Sequence, residues 1–100
     1  MWYCLIGKSG PNSAAARLKN REAHLERLQA LQDQGRMMTA GPLPAIDSEE
    51  PGSAGFSGSL IIAEFGSLPE ARHWFAADPY NTGGVYQSQE VYPFKKVFPT

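Results

Sequence analysis

The strongest constraint on this chain is a pair of short segments that are apolar on both faces when drawn as β-strands. In Trp2–Ile6, residues Trp2, Cys4 and Ile6 alternate with Tyr3 and Leu5. In Ser59–Phe65, Leu60 and Ile62 alternate with Ile61, Ala63 and Phe65. A sheet built on such strands needs cover on both sides. The chain has 100 residues, enough for one domain and too few for a sheet with a full helical layer on each face. Helices must cover one side, and a second copy of the chain is the economical cover for the other.

Between and beyond these strands the punctuation is clear. Ser13–Gln34 holds no glycine or proline and reads as a helix, with Gly35 where a C-terminal cap belongs. Arg36–Leu43 reads as a second strand ending at Gly41-Pro42. Residues 41–58 carry three prolines, four glycines and the acids Asp47, Glu49 and Glu50, which predicts a long loop suited to a lid. Ser67 with Glu70 three residues on is a capping-box pattern that opens a second helix. That helix ends near Asp78, because Pro79 disfavours helical geometry in the residue before it. Val85–Phe94 closes as a strand. The order βαββαβ predicts an α+β, ferredoxin-like single domain over residues 1–100, a four-stranded antiparallel sheet with two helices on one face.

Charge and cysteine content exclude several functions. Nine basic and ten acidic residues leave a net charge of −1, without the basic face of a nucleic-acid binder. Met1–Gly10 lacks a cleavage-site pattern, and no segment approaches the ~20 apolar residues of a membrane span, so a cytoplasmic protein without membrane association is expected. The lone Cys4 excludes an internal disulfide and a multi-cysteine metal site. Gly7-Lys8-Ser9 lacks the first glycine of a phosphate loop, since Trp2 stands there. Gly55-Phe56-Ser57-Gly58 lacks the basic residue of a ribonucleoprotein motif. No nucleotide or flavin fingerprint is present, so no cofactor and no metal are expected.

A helical wheel puts Ala14, Leu18, Leu25, Leu28 and Gln32 on the inward stripe of the first helix, with Arg21 inside it and His24 at its edge. Lys19, Ala23, Glu26, Arg27 and Ala30 point away. In the second helix Leu68, Ala71, Trp74 and Phe75 face inward in phase with Asp78, and His73 faces solvent. An interior histidine and aspartate are costly unless paired. A carboxylate beside imidazole holds one tautomer, which suits acid–base work near neutral pH. The plainer reading, a satisfied core histidine with Asp78 opening a turn, stays open on spacing alone.

Taken together, Arg21-Glu-Ala-His24-Leu25, Gly35-Arg36-Met-Met-Thr39-Ala40-Gly41-Pro42 and Gly55-Phe56-Ser57-Gly58-Ser59 are specific. So are Glu64-Phe65, Asp78-Pro79-Tyr80, Gly84-Val85-Tyr86 and Pro93-Phe94-Lys95-Lys96. With these residues the chain resembles the YciI-like, or YCII-related, proteins over nearly its whole length. The resemblance implies a dimeric α/β barrel and a pocket whose helix histidine and Asp-Pro aspartate fall on His24 and Asp78. One relative acts as a dehydrochlorinase on chlorinated aromatics. The expected function is then a small cofactor-independent lyase or isomerase acting on an enolisable or hydroxylated cyclic substrate. His24 would move the proton, Asp78 would orient it, and Arg21 would hold an anionic oxygen. Gly41, Pro42, Ser59 and Tyr80 complete the expected binding residues. Family members often carry an acidic residue where this chain has Ser9. The alternative class is a non-catalytic protein that binds a small anion in the same pocket.

Overall fold

A computed structural model describes residues 1–100. Its elements are β1 (Trp2–Ser9), α1 (Ala14–Asp33), β2 (Met37–Pro44), β3 (Phe56–Glu64), α2 (Leu68–Ala76), α3 (Pro79–Thr82) and β4 (Tyr86–Phe94). The strands form one antiparallel sheet in the order β2-β3-β1-β4. This is the ferredoxin-like plan expected from the sequence, with both doubly apolar strands in the centre.

β1 is longer than the apolar run suggested. It continues through Gly7, Lys8 and Ser9, which pair with β4 on one side, while Gly7 and Lys8 also pair with β3 on the other. Gly7 reads as a strand breaker in sequence, yet here it marks a close approach. A Cβ at this position would lie 2.6 Å from the ring of Tyr86, which crosses the strand there.

The expected loop over residues 41–58 is shorter than its composition suggested. Gly41 and Pro42 belong to β2, where Pro42 faces Ser59, and the pairing continues to Pro44 opposite Phe56. Proline is tolerated because β2 is an edge strand and needs partners on one side only. Residues 45–55 remain as the connection. The loop is tied down by Ala45 N–H donating to the Gly55 carbonyl at 2.9 Å and by a buried Pro51.

The first helix ends as its sequence predicted. Gly35 has φ +70°, its N–H donates to the Gln32 carbonyl, and Arg36 N–H donates to that of Leu31. This is the Schellman arrangement, which satisfies carbonyls the helix leaves open. The second helix opens on Ser67, whose side chain accepts from Glu70 N–H, while Glu70 reaches back to Gly66 N–H. The short α3 was not foreseen. Asp78 caps it by accepting from Tyr80 N–H.

The core lies between the sheet and the helices. Tyr3 and Leu5 of β1, Ile61 and Ala63 of β3, and Ala71 and Phe75 of α2 are all buried. The wheel for α2 holds, with Asp78 buried and His73 exposed. The wheel for α1 does not. Ala14, Arg21 and Gln32 are exposed, as are Leu18 at 80% and Leu25 at 41%. The inward stripe is instead Arg17, Asn20, His24, Arg27, Leu28 and Leu31, so Arg27 faces in, contrary to expectation. The leucines of α1 do not gather on one side, so hydropathy alone sets no phase. Polar partners on α3 and β3 set it.

The opposite face of the sheet carries Trp2, Cys4, Ile6, Leu60 and Ile62, each partly accessible, with Tyr92 50% exposed beside them. No helix is long and apolar enough to cross a membrane.

Candidate active site

Asp78 organises the site. Its carboxylate is fully buried at the junction of α2 and α3, held there because it must leave α2 before Pro79 and then cap the next turn. Oδ1 accepts from Tyr80 N–H at 2.8 Å and lies 2.8 Å from His24 Nδ1. Oδ2 accepts from Arg27 Nη1 at 3.3 Å, and Arg27 Nη2 donates to the Trp74 carbonyl at 2.9 Å. The Arg27 guanidinium also sits 4.2 Å above the Trp74 ring. A carboxylate with these donors is an acceptor on both oxygens, so its His24 partner is Nδ1–H.

His24 is thereby fixed in one orientation. It is 6% exposed, and its ring stacks on Tyr80 with centroids 3.9 Å apart and planes 7° from parallel. With Nδ1 given to Asp78, Nε2 is the atom left to meet a ligand. In this tautomer the neutral ring offers a lone pair at Nε2, the arrangement of a general base oriented by a carboxylate.

His24 opens on a cleft of about 940 Å³ between α1, the β2–β3 half of the sheet and the 45–55 connection. Arg21, Gly41, Pro42, Ser59 and Tyr80, all expected at the site, line it together with His24. Asp78 does not line it and acts from behind His24. Leu18, Leu25, Leu28 and Phe56 supply apolar wall, which accounts for the leucines that α1 leaves uncovered.

One side chain of the cleft escaped the sequence reading. Arg17 lies on the same side of α1 as Arg21 and His24, at i, i+4 and i+7. Its Nη2 donates to the Gly58 carbonyl at 2.9 Å and to the hydroxyls of Ser9 and Ser59, each at 3.2 Å. The guanidinium carbon stands 5.1 Å from the Tyr80 ring centre and 5.3 Å from that of Phe56. The only signal in the sequence was its heptad spacing from His24.

Two phenols adjoin this group. Burial pushes the Tyr80 hydroxyl above the ordinary tyrosine range, against the pull of Arg17 and Arg21 nearby. Burial pushes Tyr86 up to about 12, with a smaller opposing influence from Ser59. Tyr86 Oη is buried without a hydrogen-bond partner, as is Arg17 Nε.

Comparisons with known proteins agree with this architecture. The YCII-related domain matches residues 1–95. "Protein YciI" of Escherichia coli O6:H1 is 54% identical over 98% of this chain and 100% of its own length. An uncharacterised protein of Haemophilus influenzae is 51% identical over 98% of this chain and 100% of its own length. Among solved structures, 5-chloro-2-hydroxyhydroquinone dehydrochlorinase from Burkholderia phenoliruptrix AC1100, in complex with 2,5-dihydroxybenzoquinone, superposes with TM-score 0.81. It is 25% identical, over 95% of this chain and 94% of its own.

Proposed function

The chain belongs to the YCII-related family, and from that premise we propose that it is a cofactor-independent lyase or isomerase acting on a hydroxylated or enolisable ring in the cleft beside His24. The observation that carries this reading is the buried His24–Asp78 pair at 2.8 Å, with Nδ1 engaged by the carboxylate and His24 lining the cleft. His24 Nε2 takes a proton from the bound ring, and Asp78 holds the imidazole in its orientation and tautomer. In a dehydrochlorination the released electron pair forms the new double bond and chloride departs. The solved neighbour, whose name gives that reaction, makes a chlorinated hydroxyhydroquinone the first substrate to try. Arg21, Gly41, Pro42, Ser59 and Tyr80 serve as binding residues, and the 45–55 connection closes one wall.

Chloride release from 5-chloro-2-hydroxyhydroquinone tests the reading. The wild type is expected to accelerate release, His24→Ala to lower the rate at least ~100-fold, the range for a positioned acid–base group, and His73→Ala to leave it unchanged. Equal rates for wild type and His24→Ala would refute it. The cleft lining includes two arginines and no aspartate or glutamate, which also favours a second reading, a protein that binds a small anion without turning it over.

We also propose that two copies pair through the partly exposed apolar face of Trp2, Cys4, Ile6, Leu60 and Ile62. Light scattering at micromolar concentration should return about twice the 10.9 kDa chain mass. A monomer at that concentration would remove the barrel from the reading.

A further inference from the structure

Arg17 is a half-buried cation without a counter-ion. The ion pairs in the structure are Lys8–Glu90, His24–Asp78 and Arg27–Asp78, and none involves Arg17. Its neighbours on Nη2 are two hydroxyls and a carbonyl, all neutral. Its Nε–H is buried with no acceptor at all. A guanidinium withdrawn from water in this way is unfavourable unless something negative completes it. Arg27, the other arginine drawn in from α1, has its carboxylate in Asp78. The contrast between the two is specific: one is paired within the chain, and the other opens on the cleft.

The cleft around Arg17 supplies no acid of its own. None of its lining residues is aspartate or glutamate, and the only other arginine or lysine on it is Arg21. Arg21 is exposed, so water screens it and holds its charge cheaply. Arg17 is oriented by three hydrogen bonds and by contact with the Phe56 and Tyr80 rings, so little freedom remains to be lost on binding. Phe56, Pro42 and Leu28 give the cleft an apolar wall, and neutral polar side chains such as Ser59 and Gln87 line other parts of it.

We propose that Arg17, rather than Arg21, is the anion receptor of this cleft, and that the ligand is a planar conjugated ring bearing an ionised oxygen, of the hydroxyquinone or enediolate class. The ring lies against the apolar wall, and its charged oxygen meets the guanidinium. Ser9 is part of the device. Its hydroxyl leaves the charge of Arg17 uncancelled, where a carboxylate at the same position would consume it. This inference rests on the cleft being the ligand site. It concerns binding, so it can fail or stand apart from the proposed turnover.

The test is calorimetric titration with 2,5-dihydroxybenzoquinone, whose vinylogous-acid hydroxyls are ionised at neutral pH. The wild type is expected to bind, and Arg17→Gln to weaken binding at least tenfold, the usual worth of a hydrogen bond to a charged group. Arg21→Gln should weaken it less than threefold. Ser9→Asp, which leaves Arg17 in place but supplies a carboxylate beside it, should also weaken binding at least tenfold. Lys19→Gln removes the same unit of charge from an exposed site outside the cleft and should change little. Far-ultraviolet circular dichroism checks that each variant is folded, and Ser9→Asp carries the test if Arg17→Gln is not. No binding by the wild type, a larger loss at Arg21 than at Arg17, or unchanged affinity in Ser9→Asp would overturn the proposal. Binding through Arg17 with no chloride release would leave it standing and remove the enzymatic reading instead.

Discussion

Asp78→Ala is expected to lower the unfolding free energy by about 3–5 kcal/mol, the range for removing one partner of a buried ion pair. The carboxylate serves three donors at once: His24 Nδ1, Arg27 Nη1 and the Tyr80 amide. Alanine leaves each without an acceptor and also removes the cap of α3, for which about 1 kcal/mol is typical. Domains of this size are stable by roughly 5–15 kcal/mol, so the variant should show a much lower urea midpoint. Asp78→Asn is the milder change. It keeps an acceptor for Tyr80 N–H and His24, but turns an amide donor toward Arg27, and it should fall between alanine and wild type. A loss below about 1 kcal/mol for Asp78→Ala would mean that the network is slack and does not hold His24 in place.

Raising the pH should expose the cost of burying Tyr86. Tyr86 is 8% exposed and burial pushes its phenol up to about 12, whereas in the unfolded chain it titrates at about 10. Between those values the unfolded state has lost the proton and the folded state retains it. Stability therefore falls as pH rises, and the contribution fully present below pH 10 is gone above pH 12. Two pK units correspond to about 2–3 kcal/mol. Other groups titrate in the same window, including Tyr80, so the quantity to measure is the difference between wild type and Tyr86→Phe. Urea unfolding at a series of pH values from neutral to strongly alkaline should show the phenylalanine variant gaining on wild type by that amount. Near neutral pH the variant should be no less stable, because the hydroxyl it loses has no hydrogen-bond partner. A difference that does not change with pH would rule out a buried, neutral Tyr86.

The sequence was most legible where one local rule acted alone. Gly35 ends α1 because the left-handed turn it supplies is a property of three or four residues. Ser67 opens α2 and Pro79 closes the helical run before it for the same reason. The alternation in Ser59–Phe65 and Trp2–Ile6 assigned these two segments as strands, since a strand's period of two survives any surroundings, but strands apolar on both sides leave open which face meets the helices. Periodicity alone set Asp78 on the inward side and His73 in solvent, whereas it left His24 at the edge of a misplaced stripe.

What failed needed a partner distant in sequence. The rotation of α1 about its axis was misjudged because its leucines mark the cleft wall as well as the core, and both are apolar surfaces in a sequence. The true phase is decided by Asp78 pulling His24 and Arg27 inward and by Gly58, Ser9 and Ser59 doing the same to Arg17. Gly7 looked like a strand end because the ring that requires it, Tyr86, arrives from the last strand. Residues 41–44 looked like loop because their prolines are admissible only on an edge, and strand order is not written locally. The sequence by itself determined the two longer helices, the four strands and the caps that punctuate them, because these follow from nearest-neighbour geometry. Which arginine is neutralised and which is left open to the cleft was decided only by tertiary structure, because ion pairing depends on distances between elements.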